Sequence, residues 1–254
     1  YRGILTGLSK AFNIPIEKAN ELIDDDIRSK EILRPFLQGR GLVAYGEVKA
    51  GSYLVFIPKG FTAQQMGIDR DKQKLPSETD AWDWFKNNYP AIAAWLEQFK
   101  DEAKVRTDKG DYWWELRACA YYDKFAERKL FYQVFQTKPC FVYDESSTFC
   151  NNSMYFMTVP DKALLALLCS KIGWWLITEF CPRIQNGAQL IWDNFRQIPV
   201  PRELPPALNE YADKMMAARN DEKEFQRLSN EIDNIIANLY GLTEEGLDFI
   251  ITTI

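Results

Sequence analysis

The stretch Arg106-Thr-Asp-Lys-Gly-Asp-Tyr-Trp-Trp-Glu-Leu-Arg117 sets three cations, Arg106, Lys109 and Arg117, around two adjacent indoles, Trp113 and Trp114, in the middle of a 254-residue chain. Aromatic residues continue at Tyr121, Tyr122, Phe125, Phe131, Tyr132 and Phe135, and basic ones at Lys124, Arg128, Lys129 and Lys138. Cations interleaved with flat rings suit a polyanion that also carries stackable bases, because phosphate takes the charge and the rings take base or sugar faces. The pattern has a second reading, in which Trp113 and Trp114 alternate across a strand, one ring packs in the core and the polar residues face water. Both hold together if one indole is buried and Trp114 or Arg117 faces outward.

Other chemistry is largely excluded. Histidine is absent, which removes Ser-His and Cys-His nucleophile pairs and H-E-x-x-H metal sites. Five cysteines, odd in number and without a C-x-x-C pair, fit a reducing compartment and not a structural zinc site. Leu204-Pro205-Pro206-Ala207 has two prolines but neither the polar acceptor nor the ring of the loop that methylates an exocyclic amine on a flipped base. Glycine-rich cofactor loops and P-loops are missing. Glu102-Ala103-Lys104 with Asp80 is the one faint arrangement for metal-dependent nuclease chemistry, and both lie on helices rich in surface charge. The chain reads as a binding module with no catalytic residues of its own.

With 46% hydrophobic and 14% aromatic residues, the chain can bury a substantial core. Its net charge of −5 is unevenly distributed. From Glu203 to Ile254 eleven acidic residues face four basic ones, so residues 1–202 carry +2 and can sustain local positive clusters. No apolar run reaches the ~20 residues of a bilayer span, and nothing at the amino end resembles a signal peptide, so the expectation is a cytoplasmic protein with no membrane contact. The opening Tyr1-Arg-Gly-Ile-Leu-Thr-Gly7 reads as cut from a longer polypeptide.

The positioning elements follow from periodicity. Ile16 to Ile23 is helical, and a second helix from Ser29 to Pro35 would carry Ile32, Leu33, Phe36 and Leu37. Leu42 to Glu47 and Ser52 to Pro58 look like a hairpin. Residues between Gly60 and Leu75 are mostly loop, Ser77 begins a helix, and Pro90 starts another through about Lys104. Strand-like runs at Tyr112–Tyr122, Lys129–Gln136, Cys140–Tyr143 and Met154–Val159 argue for one antiparallel sheet or partly closed barrel. Asp161 can cap a long buried helix to about Thr178, Asn186-Gly187 marks a turn, and Ile198-Pro-Val-Pro201 reads as a linker. Beyond it two helical series meet out of phase at Arg219-Asn220-Asp221, which predicts a hairpin with Asp221 and Glu224 capping the second helix, Gly241 ending it and Thr243 starting a last one. The expected class is α+β, with an antiparallel β-rich recognition domain over 1–200 and a helical spacer over 201–254.

Gly3-Ile4-x-Thr6-Gly7-x-x-x-Ala11-Phe12, Glu31-Ile32-x-x-Pro35-Phe36-Leu37-x-Gly39-Arg40, Tyr89-Pro90-Ala91-Ile92 and Arg106-x-Asp108-Lys109-Gly110-x-x-Trp113-Trp114-Glu115-Leu116-Arg117 follow one another in an order that resembles the TaqI-like C-terminal specificity domain. Leu164-Leu165-Ala166-Leu167, Ile198-Pro-Val-Pro201 and Leu239-Tyr-Gly-Leu-Thr243-Glu-Glu245 are similar to its closing helix, exit linker and terminal spacer. Gly41-Leu42 after Arg40 departs from the acidic residue and isoleucine that often follow in the family. The resemblance implies the target recognition region of a bacterial or archaeal adenine-specific DNA methyltransferase or fused restriction-modification enzyme, the phage-defence methyltransferases of BREX systems included. It also implies an upstream methyltransferase domain of the same polypeptide that would bind S-adenosylmethionine, with or without a fused endonuclease.

On that reading Arg40, Arg106, Lys109, Trp114, Arg117 and Lys138 are the candidate contacts to double-stranded DNA. Asn151 and Asn152 are candidate base readers, since an amide can pair with adenine at two atoms, and either is equally explained as a turn residue. The rival is a protein-interaction or scaffold module of a phage-defence complex that works through the acidic helical tail. Salt separates the two: a DNA reader loses affinity steeply as counterions compete, whereas an apolar docking surface holds its partner.

Overall fold

Strand Lys129–Gln133 is buried on both faces, and its period-2 alternation sends Phe131 into one hydrophobic core and Leu130 and Tyr132 into another. The computed structural model describes residues 1–39, 42–70 and 72–253. In it this strand is the centre of a three-stranded antiparallel sheet, between Phe141–Asp144 and Met154–Thr158. Its neighbours split in the same way. Val142 and Phe156, opposite Phe131, join the first core, and Tyr143 and Phe141, opposite Leu130 and Tyr132, join the second. The sheet is therefore a wall between two cores.

The first core packs against a four-stranded sheet ordered Asn13–Pro15, Ser52–Val55, Leu33–Leu37 and Phe149–Cys150, antiparallel except for the last pair. Helices Ile16–Asp25, Glu78–Asn88 and Pro90–Glu97 cover it. Ser77 caps Glu78–Asn88 by accepting from the Asp80 N–H at 3.1 Å, and Pro90 occupies the first turn of the next helix, as their sequence positions predict. The second core holds Ala163–Cys169, Lys171–Phe180, Ala207–Ala217 and Glu222–Tyr240, with Ile250 of Glu244–Thr253 closing it. Asp221 accepts from the Glu224 N–H at 3.1 Å, Gly241 ends the helix with φ 66°, and Thr243 accepts from the Gly246 N–H. The class is α+β, as expected.

Several expectations are corrected. Among the described residues the strands form three sheets and no barrel, the third being Phe135–Gln136, Gly187–Gln189 and Arg183–Ile184. Leu42–Glu47 is no strand: a turn closes at Gly46, Tyr45 adopts φ 58°, and its ring packs edge-on to Phe225 in the second core. Ser52–Val55 pairs instead with Leu33–Leu37 and Asn13–Pro15. Ser29 to Pro35 forms a 3₁₀ turn, Ile27–Glu31, and then a strand, because Pro35 cannot donate within a helix. The long apolar helix is two, bent by 71° at Ser170, which caps the second by accepting from the Gly173 N–H at 2.9 Å. Leu208, Ala212, Leu228 and Ile232, on the helices after Pro201, pack into the same core as Ala163–Ile198, and the acidic residues are largely the wet face of those helices. Asp233 is an exception, buried and bonded by the Lys171 N–H at 2.9 Å. Among the described residues no single helix is long and apolar enough to cross a membrane.

Lys129, fully buried, faces Asp144 across the wall, Nζ 2.7 Å from its carboxylate, and donates to the Phe125 and Ser146 carbonyls at 2.7 and 2.5 Å. Removing one member of such a pair strands the other charge out of water. Lys129→Ala is expected to cost about 3–5 kcal/mol in urea unfolding, and Lys129→Met with Asp144→Leu to recover most of it.

Candidate nucleic-acid interface

The segment 106–117 is a turn, not a strand, and two buried charges shape it. The Glu115 carboxylate, fully buried, accepts from the Gly60, Thr62 and Asp111 N–H groups at 3.0, 3.0 and 2.9 Å. Arg106, 7% exposed, donates to the carbonyls of Thr6, Trp113 and Glu115 and lies over the Phe12 ring at 4.1 Å. Gly110 closes the turn onto the Glu115 carbonyl at 3.0 Å, and a Cβ there would meet the Glu115 Cβ at 2.6 Å. Trp114 has no exposure: it stacks on Tyr112 at 4.7 Å and donates through Nε1 to Thr62 Oγ1 at 2.9 Å. Trp113 packs beside it on Trp82. Arg106 and Trp114, expected as DNA contacts, are thus interior scaffold, because the turn needs their hydrogen bonds and their rings or carbon framework inside. Burial pulls the Arg106 guanidinium down to about 10.

What this scaffold leaves outside is Lys109 and Arg117. Lys109 donates to the Lys104 carbonyl, and Arg117 Nη1 reaches Asp108 at 3.1 Å with its side chain 53% exposed. Arg117 shares a notch of about 190 Å³ with the amino-terminal segment Arg2–Leu5 and with Tyr121. That segment is tied down by Gly3 N–H to the Met154 carbonyl at 2.9 Å and Ile4 N–H to Cys150 at 2.7 Å. Gly3 has no substitute there, since a Cβ would lie 2.0 Å from the Asn151 carbonyl oxygen. Asn151 opens a turn closed by the Met154 N–H, and its Oδ1 accepts from Ser153 Oγ at 2.7 Å. The Asn152 side chain carries no hydrogen bond among the described residues, and its carbonyl accepts from Arg2 Nε at 3.3 Å.

Arg2 also borders a second depression of about 550 Å³, with Tyr155, Met157 and Trp192, whose indole is 51% exposed. The fold thus brings Arg117, Arg2 and the Asn151-Asn152 turn to one face. Lys138, exposed between Gln136 and Phe141, lines neither depression. Arg40 lies outside the described residues, although the preceding Gly39 packs on Ser153. Arg2 and Trp192 escaped sequence reasoning because exposure leaves no signal in residue type. Burial pushes the Cys140 and Cys181 thiols up to about 11, away from the reactive thiolate.

The model of the TaqI-like C-terminal specificity domain matches residues 34–200. This chain belongs to that family. The matched span contains the turn, the Asn151-Asn152 corner and Trp192, while Arg2 and the helices after Pro201 lie outside it. Among solved structures, it is similar to the type IIL restriction-modification enzyme MmeI, solved in complex with DNA, at 10% identity and a TM-score of 0.58 over 99% of this chain and 35% of that one. It also matches the type IIG restriction endonuclease BpuSI at 11% identity and a TM-score of 0.48, over 93% of this chain and 30% of that one. This chain therefore spans about a third of either enzyme's length, and at this identity the likeness to MmeI is one of fold. A search of curated proteins gave no match.

Burial raises the Glu115 carboxyl and the three backbone N–H bonds only partly pull it back. Its native value thus lies above the unfolded one, so its contribution to stability is complete below the ordinary carboxylate range and is lost as pH rises through the raised value. Glu115→Gln, which turns an NH₂ toward a backbone N–H, is expected to cost about 1–3 kcal/mol near neutrality and to flatten that slope, as thermal unfolding across the acidic to neutral range would show.

Proposed function

We propose that this specificity domain reads the sequence of duplex DNA for an adenine-N6 methyltransferase whose catalytic domain lies upstream in the same polypeptide. Membership of the TaqI-like specificity family over residues 34–200 carries the reading. The surface supplies what it needs physically: Lys109, Arg117 and Lys138 for phosphates, and the Asn151-Asn152 turn for base edges. One solved structure of like fold, MmeI, is a restriction-modification enzyme in complex with DNA, of which this chain spans about a third, which fits a reader joined to other machinery.

In this scheme S-adenosylmethionine belongs to the upstream domain, and the parent enzyme works in a bacterial or archaeal cytoplasm, in restriction-modification or phage defence, with or without a fused nuclease. Phosphate contacts set register and supply most of the salt-dependent affinity, and a few base contacts select the site.

The test is anisotropy on duplexes across a salt series. Arg117→Ala and Lys109→Ala should each weaken all sequences alike and reduce the slope of log affinity against log salt by about 1. Unchanged low-salt affinity in both variants would take this patch out of the interface.

A further inference from the structure

We propose that Arg2 is a base-reading residue of this face, its guanidinium fork taking the O6 and N7 acceptors of a guanine in the major groove; this rests on the DNA-reading function proposed above. Its backbone is held from two sides. Arg2 bridges to Tyr155, and the next two N–H groups donate to the Met154 and Cys150 carbonyls. Its side chain is anchored through one nitrogen: Nε donates to the Asn152 carbonyl at 3.3 Å. That bond anchors the guanidinium at one corner and leaves Nη1 and Nη2 without a partner among the described residues.

Several exposed arginines share their fork with a carboxylate: Arg117 with Asp108, Arg70 with Asp111, Arg183 with Glu179 and Arg227 with Glu224 and Glu231. Arg128, Arg202 and Arg219 have no carboxylate partner among the described residues, but none of them lines either depression. Arg2 has no acidic partner among the described residues, which keeps its charge undiminished for an acceptor. It also stands where the 190 Å³ notch and the 550 Å³ depression meet, with Arg117 on one side and Trp192 on the other. A phosphate contact requires charge within reach, whereas a base contact requires a free pair of donors that can project to the O6 and N7 edge in the groove. Arg2 meets the second requirement, and the neighbouring Asn152 amide could read the adjoining pair.

Selection from a randomised duplex library, with wild-type protein, Arg2→Lys and Arg2→Ala, tests the assignment and yields the preferred site in the same experiment. The expected result is that both variants retain low-salt affinity for the unselected pool, while one G·C position in the wild-type consensus becomes indifferent. On the best wild-type duplex, 7-deazaguanine at that position, which deletes the N7 acceptor, should weaken wild type by roughly 10- to 100-fold and leave Arg2→Ala unaffected. An unchanged consensus overturns the proposal, whether affinity falls uniformly, as for a phosphate contact, or does not fall. Wild-type protein that fails to retain any duplex would instead bring down the DNA-reading function itself, and the Arg2 assignment with it.

Discussion

Two opposite charges, the Arg106 guanidinium and the Glu115 carboxylate, are withdrawn from water within one turn, and no ion pair joins them among the described residues. Each is solvated by backbone. The guanidinium takes three carbonyls and the carboxylate takes three N–H groups, drawn from Thr6, Gly60, Thr62 and the turn itself. Charge-assisted bonds of roughly 1.5–3 kcal/mol each are what offset a desolvation penalty of several kcal/mol per ion. Segments as much as 100 residues apart in the chain are thereby fixed to one loop, and the rings of Trp113 and Trp114 are drawn into the first core with it.

The consequence for the surface is a division of labour within a single motif. Residues that look alike in sequence, Arg106 and Arg117, or Trp113 and the distant Trp192, end up with opposite tasks: the first of each pair builds the interior, and the second remains outside. The amino-terminal segment completes the face because Gly3 lets it lie against Asn151, which carries Arg2 to the mouth of both depressions.

A second constraint ties this face to the helical part. The sheet centred on Lys129–Gln133 contributes side chains to both cores, so neither can shift without the other, and the Lys129–Asp144 pair pins its edge. The acidic helices after Pro201 are bound into that second core through Leu208, Met215, Leu228 and Ile236. Apart from the buried Asp233, their charge faces away from their packing, and a net charge of −5 for the chain thus says little about the local field at Arg2 and Arg117.

Local chemistry alone specified the helices at Ile16, Glu78, Pro90 and Glu222, with the caps Ser77 and Asp221 and the stop at Gly241, because caps and periodicity act within a few residues. The order of its motifs also marked the specificity-domain family. Strand partners were decided only by tertiary structure: Ser52–Val55 looked like half of a hairpin and found Leu33–Leu37 and Asn13–Pro15, since pairing energy is non-local. The same holds for which cations face solvent. Residue type says that Arg106 and Arg2 are charged, but the carbonyls that take one inside and the glycine that carries the other to the rim come from segments brought together by folding alone.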